Sequence, residues 1–286
     1  MGWIDEALRR SNVDAAQGTG AAAPAPAASP WLVEERKPAE AQAPVERERP
    51  ARHGGFDARA IERLVVSKTA GPLLVEQFRG LAATLLRIRG ERPLKSVLVT
   101  SPAPGDGKSH VAVNLALTLS DSYKRRVLLV DADLRRPTLH QLFRIPNAKG
   151  LGEALHEKAD GRVGAVQVSG TLTLLPAGHP EPNPLGGLSS GRMKHLVADA
   201  ASEFDWVIID SPPVGVLADA HLVSETVDGA ILVVRAGVTS FPDVEAAVGT
   251  LGRERILGIV LNAVDTAEIR GEGYYSRYYT SVPSRS

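Results

Sequence analysis

Six short runs rich in Val, Ile, Leu and Ala recur between positions 96 and 261, with longer helical patterns between them. Apolar and polar residues do not alternate inside these runs, which is typical of strands covered on both faces of a sheet. Strands that alternate with helices form a doubly wound, mainly parallel α/β sheet, whose ligands bind at the carboxyl ends of the strands. The predicted strands are 96–100, 127–130, 172–175, 207–209, 230–234 and 256–261.

Composition changes at both ends of the chain. Residues 1–14 carry a short amphipathic pattern, in which Trp3, Ile4, Ala7 and Leu8 are the apolar members. Of the 38 residues from 15 to 52, 18 are Ala or Pro, and such a segment buries too little apolar surface to offset its ordering entropy. We therefore predict a disordered linker over 15–55, a folded domain over 56–270 and a mobile tail over 271–286. The tail holds four of the five tyrosines: Tyr274, Tyr275, Tyr278 and Tyr279.

Charge, cysteine content and the length of the apolar runs exclude several classes of protein. Lys and Arg together number 33, as do Asp and Glu, so the formal net charge is zero. Affinity for nucleic acids depends mostly on cationic charge, so this balance argues against a nucleic-acid-binding protein with a broad basic surface. The absence of cysteine excludes disulfides and a cysteine nucleophile. No apolar run approaches the roughly 18 residues that span a bilayer, so we expect a soluble, cytoplasmic protein without a transmembrane segment.

A candidate phosphate-binding loop lies between the first predicted strand and the next helix, where residues 100–109 read TSPAPGDGKS. Glycines here let backbone N–H groups curl around phosphate oxygens, and the helix N-terminus adds a favourable dipole. Lys108 would reach the β- and γ-phosphates and the Ser109 hydroxyl would bind Mg²⁺. Pro102 stands where the general pattern has its first glycine. The predicted cofactor-binding residues are Pro104, Gly105, Asp106, Gly107, Lys108, Ser109 and His110.

Aspartates follow two other predicted strands. Asp131 and Asp133 come after the second strand, and period-two alternation places both carboxylates on the same side of the strand end. Asp210 follows the strand over 207–209, as the acid of a Walker B motif does. An aspartate in such a place is often only a turn or helix cap, but these strand ends come in the order expected of a P-loop NTPase architecture. We expect Ser109 and Asp210 to bind Mg²⁺, with Asp133 beside the metal.

At these motifs the chain resembles the bacterial tyrosine kinases, the polysaccharide-biosynthesis tyrosine autokinases of capsule and exopolysaccharide systems. Their phosphate loop, S-x-x-P-G-x-G-K-S, matches residues 101–109, and their Walker A′ motif, an apolar run before D-x-D-x-R, matches 127–135. Their Walker B motif matches 207–210, and their P-A-G…P-N-P segment matches 176–184. The family also ends in a tyrosine cluster. The resemblance covers about residues 60–280.

The resemblance implies ATP-dependent phosphorylation of tyrosine, with Mg²⁺ as the metal and the four tail tyrosines as autophosphorylation sites. Asp131 would accept the tyrosine proton and Asp133 would lie beside the metal, although the two roles could be exchanged. The family's membrane-spanning activator domain is absent from this sequence. A separate membrane chain-length determinant, a polysaccharide co-polymerase, is therefore the expected activator. It would recruit the kinase to the inner face of the membrane, and a cognate tyrosine phosphatase would reverse the modification.

One departure from the family lies in a helix predicted over 73–89. Four large apolar residues share one stripe of this helix: Leu74, Phe78, Leu81 and Leu85. The family's oligomerisation helix carries the pattern E-x-x-R-x-x-R, of which Glu76 and Arg79 are present while Ala82 replaces the second arginine. Self-association is expected from the resemblance, but Ala82 argues against a ring-shaped oligomer.

Several alternatives remain open at the level of sequence. The main rival is an ATPase switch of the MinD/ParA type without tyrosine kinase activity; such proteins carry an extra lysine at the start of the loop, where this chain has Ser101 and Pro102. A third reading is a scaffold whose tail is phosphorylated by another kinase. Arg135 and Arg136 either pair with phosphate oxygens or are solvated surface charges. Asn262 either contacts the adenine edge or caps a turn.

Overall fold

The computed structural model describes residues 64–67, 70–156 and 164–264, together with a two-residue strand at Glu34–Glu35. The predictions for residues 1–14 and for the tail over 271–286 lie outside the described residues. Most of the predicted linker does so too, but Glu34–Glu35 within it pairs in parallel with Val166–Gln167. At least this dipeptide is therefore placed at an edge of the sheet.

The folded region alternates strands and helices along the chain, as the apolar runs predicted. The strands are β1 (Glu34–Glu35), β2 (Ser96–Thr100), β3 (Val127–Asp131), β4 (Val166–Gln167), β5 (Leu172–Leu175), β6 (Trp206–Asp210), β7 (Gly229–Arg235) and β8 (Ile256–Asn262). The helices are α1 (Pro72–Glu91), α2 (Lys108–Leu117), α3 (Leu139–Phe143), α4 (Leu151–Leu155), α5 (Leu185–Leu188), α6 (Gly191–Glu203), α7 (Asp219–Ser224) and α8 (Phe241–Leu251). A π-helical turn, Thr118–Ser122, extends α2, and a 3₁₀ turn, Arg253–Arg255, precedes β8.

The eight strands of the described residues form one sheet, in the order β1-β4-β5-β3-β6-β2-β7-β8. Neighbours pair in parallel except β4 and β5, which are antiparallel. Because the central strands are parallel, the loops after β2, β3 and β6 all leave from one edge of the sheet. The register places Val99 opposite Asp210 and Asp210 opposite Asp131. The predicted doubly wound sheet is confirmed, and its topology brings the predicted motifs to one edge.

Side chains of alternate strand residues enter two hydrophobic cores, one on each face of the sheet. One core contains Val97, Val99, Leu129 and Ile208 and is closed by α1 and α2. The other contains Leu98, Leu128, Ile209 and Leu232 and is closed by helices that include α6, α7 and α8. Asp131 and Asp210 lie two residues beyond Leu129 and Ile208, so their side chains emerge on the α2 face.

The edge strand β8 departs from the prediction that every strand is covered on both faces. Ile259 and Leu261 are 55% and 58% exposed, whereas the central strands β2, β3, β5 and β6 are buried throughout. The physical reason is position: β8 pairs only with β7, and within the described residues no element covers these two side chains. A continuous apolar run does not distinguish an edge strand from a central one.

Helix α1 is rotated slightly from the predicted stripe. Phe78, Ala82 and Leu85 are its buried residues, while Leu74 and Leu81 are only partly buried. Ala82 has no exposed surface. The Glu76 carboxylate and the Arg79 guanidinium, which are the matching parts of the family pattern, pair with each other at 2.6 Å on the exposed side. The departure at position 82 therefore points into the core and away from solvent.

We predict that Ala82→Arg destabilises the domain, whereas Ala83→Arg, one residue further along an exposed face of α1, is nearly neutral. A guanidinium at position 82 would overpack a closed core and bury an unpaired charge, which should cost about 3 kcal/mol or more. Urea unfolding of both variants measures the difference. Equal stabilities would mean that α1 does not present Ala82 to the core.

Candidate nucleotide and magnesium site

The phosphate loop connects the end of β2 to the start of α2. Gly105 and Gly107 have φ values of +88° and +96°, a left-handed conformation that glycine adopts without strain. The first hydrogen bond of α2 runs from Val111 N–H to the Gly107 carbonyl at 3.0 Å. The amides of Lys108 and Ser109 precede this bond and are not used within the helix. Such a loop, followed by a helix of ten residues, has the backbone geometry of an anion-binding site.

The loop is held by a side chain that the sequence assigned to the cofactor. The Asp106 carboxylate is buried and accepts from Ala103 N–H at 3.0 Å and from the Thr239 hydroxyl at 2.8 Å. The first contact closes the loop on itself, and the second ties it to the segment between β7 and α8. Asp106 thus contributes its side chain to the shape of the loop, and Thr239 is a supporting residue that sequence reasoning missed.

Asn262, the last residue of β8, is the second support of the loop. Its side-chain amide donates to the Asp106 carbonyl at 2.8 Å. A Cβ atom at Gly107 would lie 2.0 Å from the Asn262 amide nitrogen, so this glycine is required both by its φ and by the close approach of Asn262. The amide therefore holds the phosphate loop and does not cap a turn of its own segment, whereas its contact with an adenine edge stays a prediction.

Asp131 anchors the loop that follows β3. Its side chain is fully buried, and its two oxygens accept from the amides of Asp133 (3.2 Å), Thr138 (3.1 Å) and Leu139 (3.0 Å). Burial and the charge of Asp210 raise the pKa of Asp131 to about 7, even though two of these backbone hydrogen bonds oppose the shift. Asp131 is therefore a rigidly held carboxylate that exchanges its proton near neutral pH.

Lys108 provides the positive charge among these carboxylates. Its ammonium lies 3.6 Å from an Asp133 carboxylate oxygen and 3.4 Å from the Ser109 hydroxyl. Burial lowers the pKa of Lys108, but the charges of Asp210, Asp133 and Asp131 together raise it above its ordinary value. The lysine is thus held protonated, as binding of a polyphosphate requires.

The Asp210 carboxylate fits a metal. Both of its oxygens are buried and neither has a hydrogen-bond partner within the described residues. Burial raises the pKa of Asp210 to about 6, although the charge of Lys108 and the nearby Ser109 hydroxyl oppose the shift. An unpartnered buried carboxylate is costly, and Mg²⁺ commonly uses one or two protein oxygens and completes its shell with phosphates and waters. Ser109 and Asp210 are the residues that would hold it.

No group of three or more His, Asp or Glu side chains within residues 64–67, 70–156 and 164–264 is arranged to hold a metal alone. The pair Ser109 and Asp210 is a smaller set than that, and Mg²⁺ commonly completes such a set with phosphates and waters.

The other predicted residues take different positions. Pro104 and Gly105 form the exposed tip of the loop. The His110 ring lies edge-on to Phe78 of α1, with ring centroids 6.3 Å apart, so its side chain joins two helices. The sequence allows Arg135 to contact phosphate or to be a solvated surface charge, but in the structure its guanidinium pairs with the Asp219 carboxylate. Tyr274, Tyr275, Tyr278 and Tyr279 lie outside the described residues.

A glycine loop at a helix N-terminus, an ammonium beside it, and strand-end carboxylates at the same sheet edge define a P-loop nucleotide-binding protein. None of the described helices is long and apolar enough to cross a membrane.

Comparisons with known proteins agree with this class. Residues 94–269 match the ParA-type family described as NUBPL iron-transfer P-loop NTPase. The chain is 36% identical over 220 residues to tyrosine-protein kinase YwqD of Bacillus subtilis (strain 168), covering 75% of this chain and 92% of YwqD. The chimerical protein CapA2B2 superposes with a TM-score of 0.63 at 28% identity, over 73% of this chain and 92% of that one. The kinase domain of the Escherichia coli tyrosine kinase ETK gives 0.60 at 30% identity, over 68% and 78%.

The chain therefore belongs to the bacterial tyrosine-protein kinases, a branch of the ParA-type P-loop NTPases. Its enzyme class is protein-tyrosine kinase, as the phosphate loop, the Walker A′ run and the tyrosine tail indicated in the sequence.

We predict that Asp210→Asn stabilises the metal-free protein at neutral pH. Because the folded pKa of Asp210 is about 6 against an ordinary 3.8, the folded state holds a proton that the unfolded state releases. This contribution to stability is present below pH 4 and is lost as the pH rises through about 6. The advantage of the variant should therefore grow from near zero at pH 4 to at most about 3 kcal/mol above pH 7.

Thermal unfolding in EDTA across this pH range measures the effect. Glu245→Gln, on the exposed side of α8, is the control for removal of one negative charge. A pH-independent loss of stability in Asp210→Asn would contradict the prediction.

Proposed function

We propose that this chain transfers the γ-phosphoryl group of ATP, bound with Mg²⁺, to tyrosines of the C-terminal cluster on a neighbouring copy. The observation that carries the proposal is the hydrogen bond from the Asn262 amide to the Asp106 carbonyl of the phosphate loop. The chain leaves its last strand at the nucleotide site and then continues into the segment that contains Tyr274, Tyr275, Tyr278 and Tyr279.

The length of the tail permits transfer. Val264 is the last described residue, and the ten residues from there to Tyr274 reach at most about 34 Å. A domain of this size has a radius of gyration of about 17 Å. A tyrosine can therefore arrive at its own site or at that of a neighbour. Membership of an autokinase family favours the neighbour, and self-association is part of the proposal.

The protein's own groups supply positioning and charge. Lys108 and the amides of the phosphate loop neutralise charge that develops on the β- and γ-phosphates during transfer. Ser109 and Asp210 orient Mg²⁺, which supplies further charge neutralisation when bound. Asp133, whose carboxylate faces Lys108 at 3.6 Å, lies on the phosphate side of the site.

Asp131 is the proposed base. Phosphoryl transfer needs little covalent assistance, but the tyrosine hydroxyl must lose its proton as the new bond forms. A carboxylate with a pKa near 7 is matched to such a task at neutral pH. Its three backbone hydrogen bonds fix its orientation.

The biological setting belongs to the same proposal. The kinase would act in capsule or exopolysaccharide synthesis, where a membrane co-polymerase would activate it and recruit it to the inner face of the membrane. A tyrosine phosphatase would reset the tail. Residues 270–286 carry three arginines against one glutamate, and four phosphates would add roughly −6 to −8 charges. The modified tail would then be repelled by the carboxylates of a neighbour's site, which would loosen the assembly.

We expect Lys108→Met to lose phosphotyrosine formation by at least about 100-fold, because a thioether cannot neutralise phosphate charge. The decisive experiment mixes a Lys108→Met chain that has its tail tyrosines with an active chain in which the four tyrosines are Phe. Phosphotyrosine is then measured on the Lys108→Met chain, with the cytosolic part of the co-polymerase present. Transfer between molecules predicts that this chain is labelled.

Three controls make the outcome decisive. Lys108→Arg keeps the charge, and Lys124→Met removes an exposed lysine far from the loop. The active chain alone must show ATP turnover. The unmodified chain is measured in parallel. Label on the unmodified chain but not on the Lys108→Met chain of the mixture would mean transfer within one molecule, and ATP turnover without label on either of these chains would favour the ATPase switch of the MinD/ParA type.

Asp131→Asn should lower the rate of tyrosine phosphorylation by about 10²–10⁴, as loss of a general base does. The affinity for ATP should change little, because Asp131 contacts only backbone amides. Quench-flow measurement of the single-turnover rate, with nucleotide affinity and unfolding temperature measured in parallel, separates the base from a role in folding. If folded Asp131→Asn keeps the full phosphorylation rate and Asp133→Asn loses it, then Asp133 is the base and Asp131 is not.

A further inference from the structure

Arg135 is part of the Walker A′ run, yet its guanidinium is committed to groups of the protein. Nε donates to one Asp219 carboxylate oxygen at 2.7 Å and Nη2 donates to the other at 3.2 Å. Nη1 donates to the Pro182 carbonyl at 2.6 Å. The Asp219 side chain is 1% exposed and that of Arg135 is 27% exposed. This two-point geometry is one that a guanidinium forms and an ammonium does not.

These contacts join three segments that are distant in sequence. Arg135 lies in the loop between β3 and α3, Asp219 is the first residue of α7, and Pro182 lies between β5 and α5. The neighbouring residue strengthens the junction, because Glu181 N–H donates to the Leu134 carbonyl at 2.8 Å. The P-A-G…P-N-P segment, which the proposed mechanism does not use, is thus attached to the loop that carries the two aspartates.

The same loop carries Asp133. One oxygen of Asp133 accepts from Arg136 N–H at 3.1 Å, and the other lies 3.6 Å from the Lys108 ammonium. Asp131 fixes the loop at its start and again at Thr138 and Leu139. Between these anchors, the side chain of Arg135 is the one that ties the loop to α7 and to the Pro182 carbonyl.

We propose that Arg135 and Asp219 form a clamp that positions the Asp133 carboxylate against Lys108, and that Arg135 therefore acts on phosphoryl transfer without contacting phosphate. The clamp selects one arrangement of the loop, since the alternative leaves the Asp219 carboxylate buried without its counter-ion. The effect of the clamp on phosphoryl transfer rests on the proposed function, whereas its effect on the position of the Asp133 carboxylate can be tested without that function.

The test uses the full chain with Arg135→Ala, Arg135→Lys and Asp219→Asn. Loss of the clamp should lower the single-turnover rate by about 10- to 100-fold, as a small misplacement of a reacting group does, with ATP affinity nearly unchanged. The unfolding temperature should fall in Arg135→Ala, because the buried Asp219 carboxylate loses its counter-ion, and should recover with methylguanidinium. Millimolar methylguanidinium should restore much of the rate of Arg135→Ala by occupying the vacated place beside Asp219. It should restore nothing in Lys108→Met. Arg255→Lys is the matched control, because Arg255 also donates to α7, at the Ser224 carbonyl.

A second readout needs no activity. In the free protein, the rate at which an amine-reactive ester labels Lys108, relative to exposed Lys124, should rise several-fold when Asp133 leaves its place. Equal labelling of Lys108 in Arg135→Ala and in the unmodified chain would overturn the clamp, whatever the activity. If labelling rises but the wild-type chain hydrolyses ATP without forming phosphotyrosine, the clamp stands and the proposed kinase reaction fails. If the unfolding temperature of Arg135→Ala falls and methylguanidinium does not restore its single-turnover rate, Arg135 contributes only to the stability of the fold and the clamp is wrong.

Discussion

One ammonium group, that of Lys108, stands against three carboxylates at the edge of the sheet, and the rest of the site depends on this imbalance. Asp131 and Asp210 are partners in the register of β3 and β6, so the fold itself forces two buried carboxylates together. Burial is the largest cause of their raised pKa values, about 7 for Asp131 and about 6 for Asp210, and the charge of Asp210 adds to the shift at Asp131. In the proposed function, Mg²⁺ bound at Asp210 would offset this buried negative charge and leave Lys108 to face phosphate.

The parallel sheet explains why so much of this was predictable. Parallel strands end at one edge, so the motifs after β2, β3 and β6 had to meet once the strands were identified, and each predicted central strand is correct to within a residue. The supports of the site were not predictable in this way. Arg135 and Asp219 are 84 residues apart, and Asn262 and Asp106 are 156 apart. Such pairings depend on how loops fold over the edge, and neither spacing nor period contains that information.

Burial departs from the sequence patterns at two places. The apolar run of β8 predicted a covered strand, yet Ile259 and Leu261 are exposed. In α1 the predicted stripe does face the core, but the small Ala82 beside it is buried more completely than Leu74 and Leu81. The hydrophobicity of a side chain indicates how favourable its burial would be. Whether it is buried depends on the position of its strand in the sheet, or on how closely its helix packs against the core. Ala82 permits that close approach, which is why its departure from the family pattern belongs to packing.

The site by itself does not separate a kinase from an ATPase switch, because the loop, the lysine and the strand-end carboxylates serve any P-loop nucleotide hydrolysis. The difference must come from what reaches the γ-phosphate, a tyrosine hydroxyl or water. In this chain the strand that braces the phosphate loop, through Asn262, is also the strand that leads to the tyrosine cluster. In the proposed function, a change of the phosphate loop on nucleotide binding would therefore act on Asn262, two residues before the last described residue, Val264, and so on the backbone that continues in sequence toward the tail.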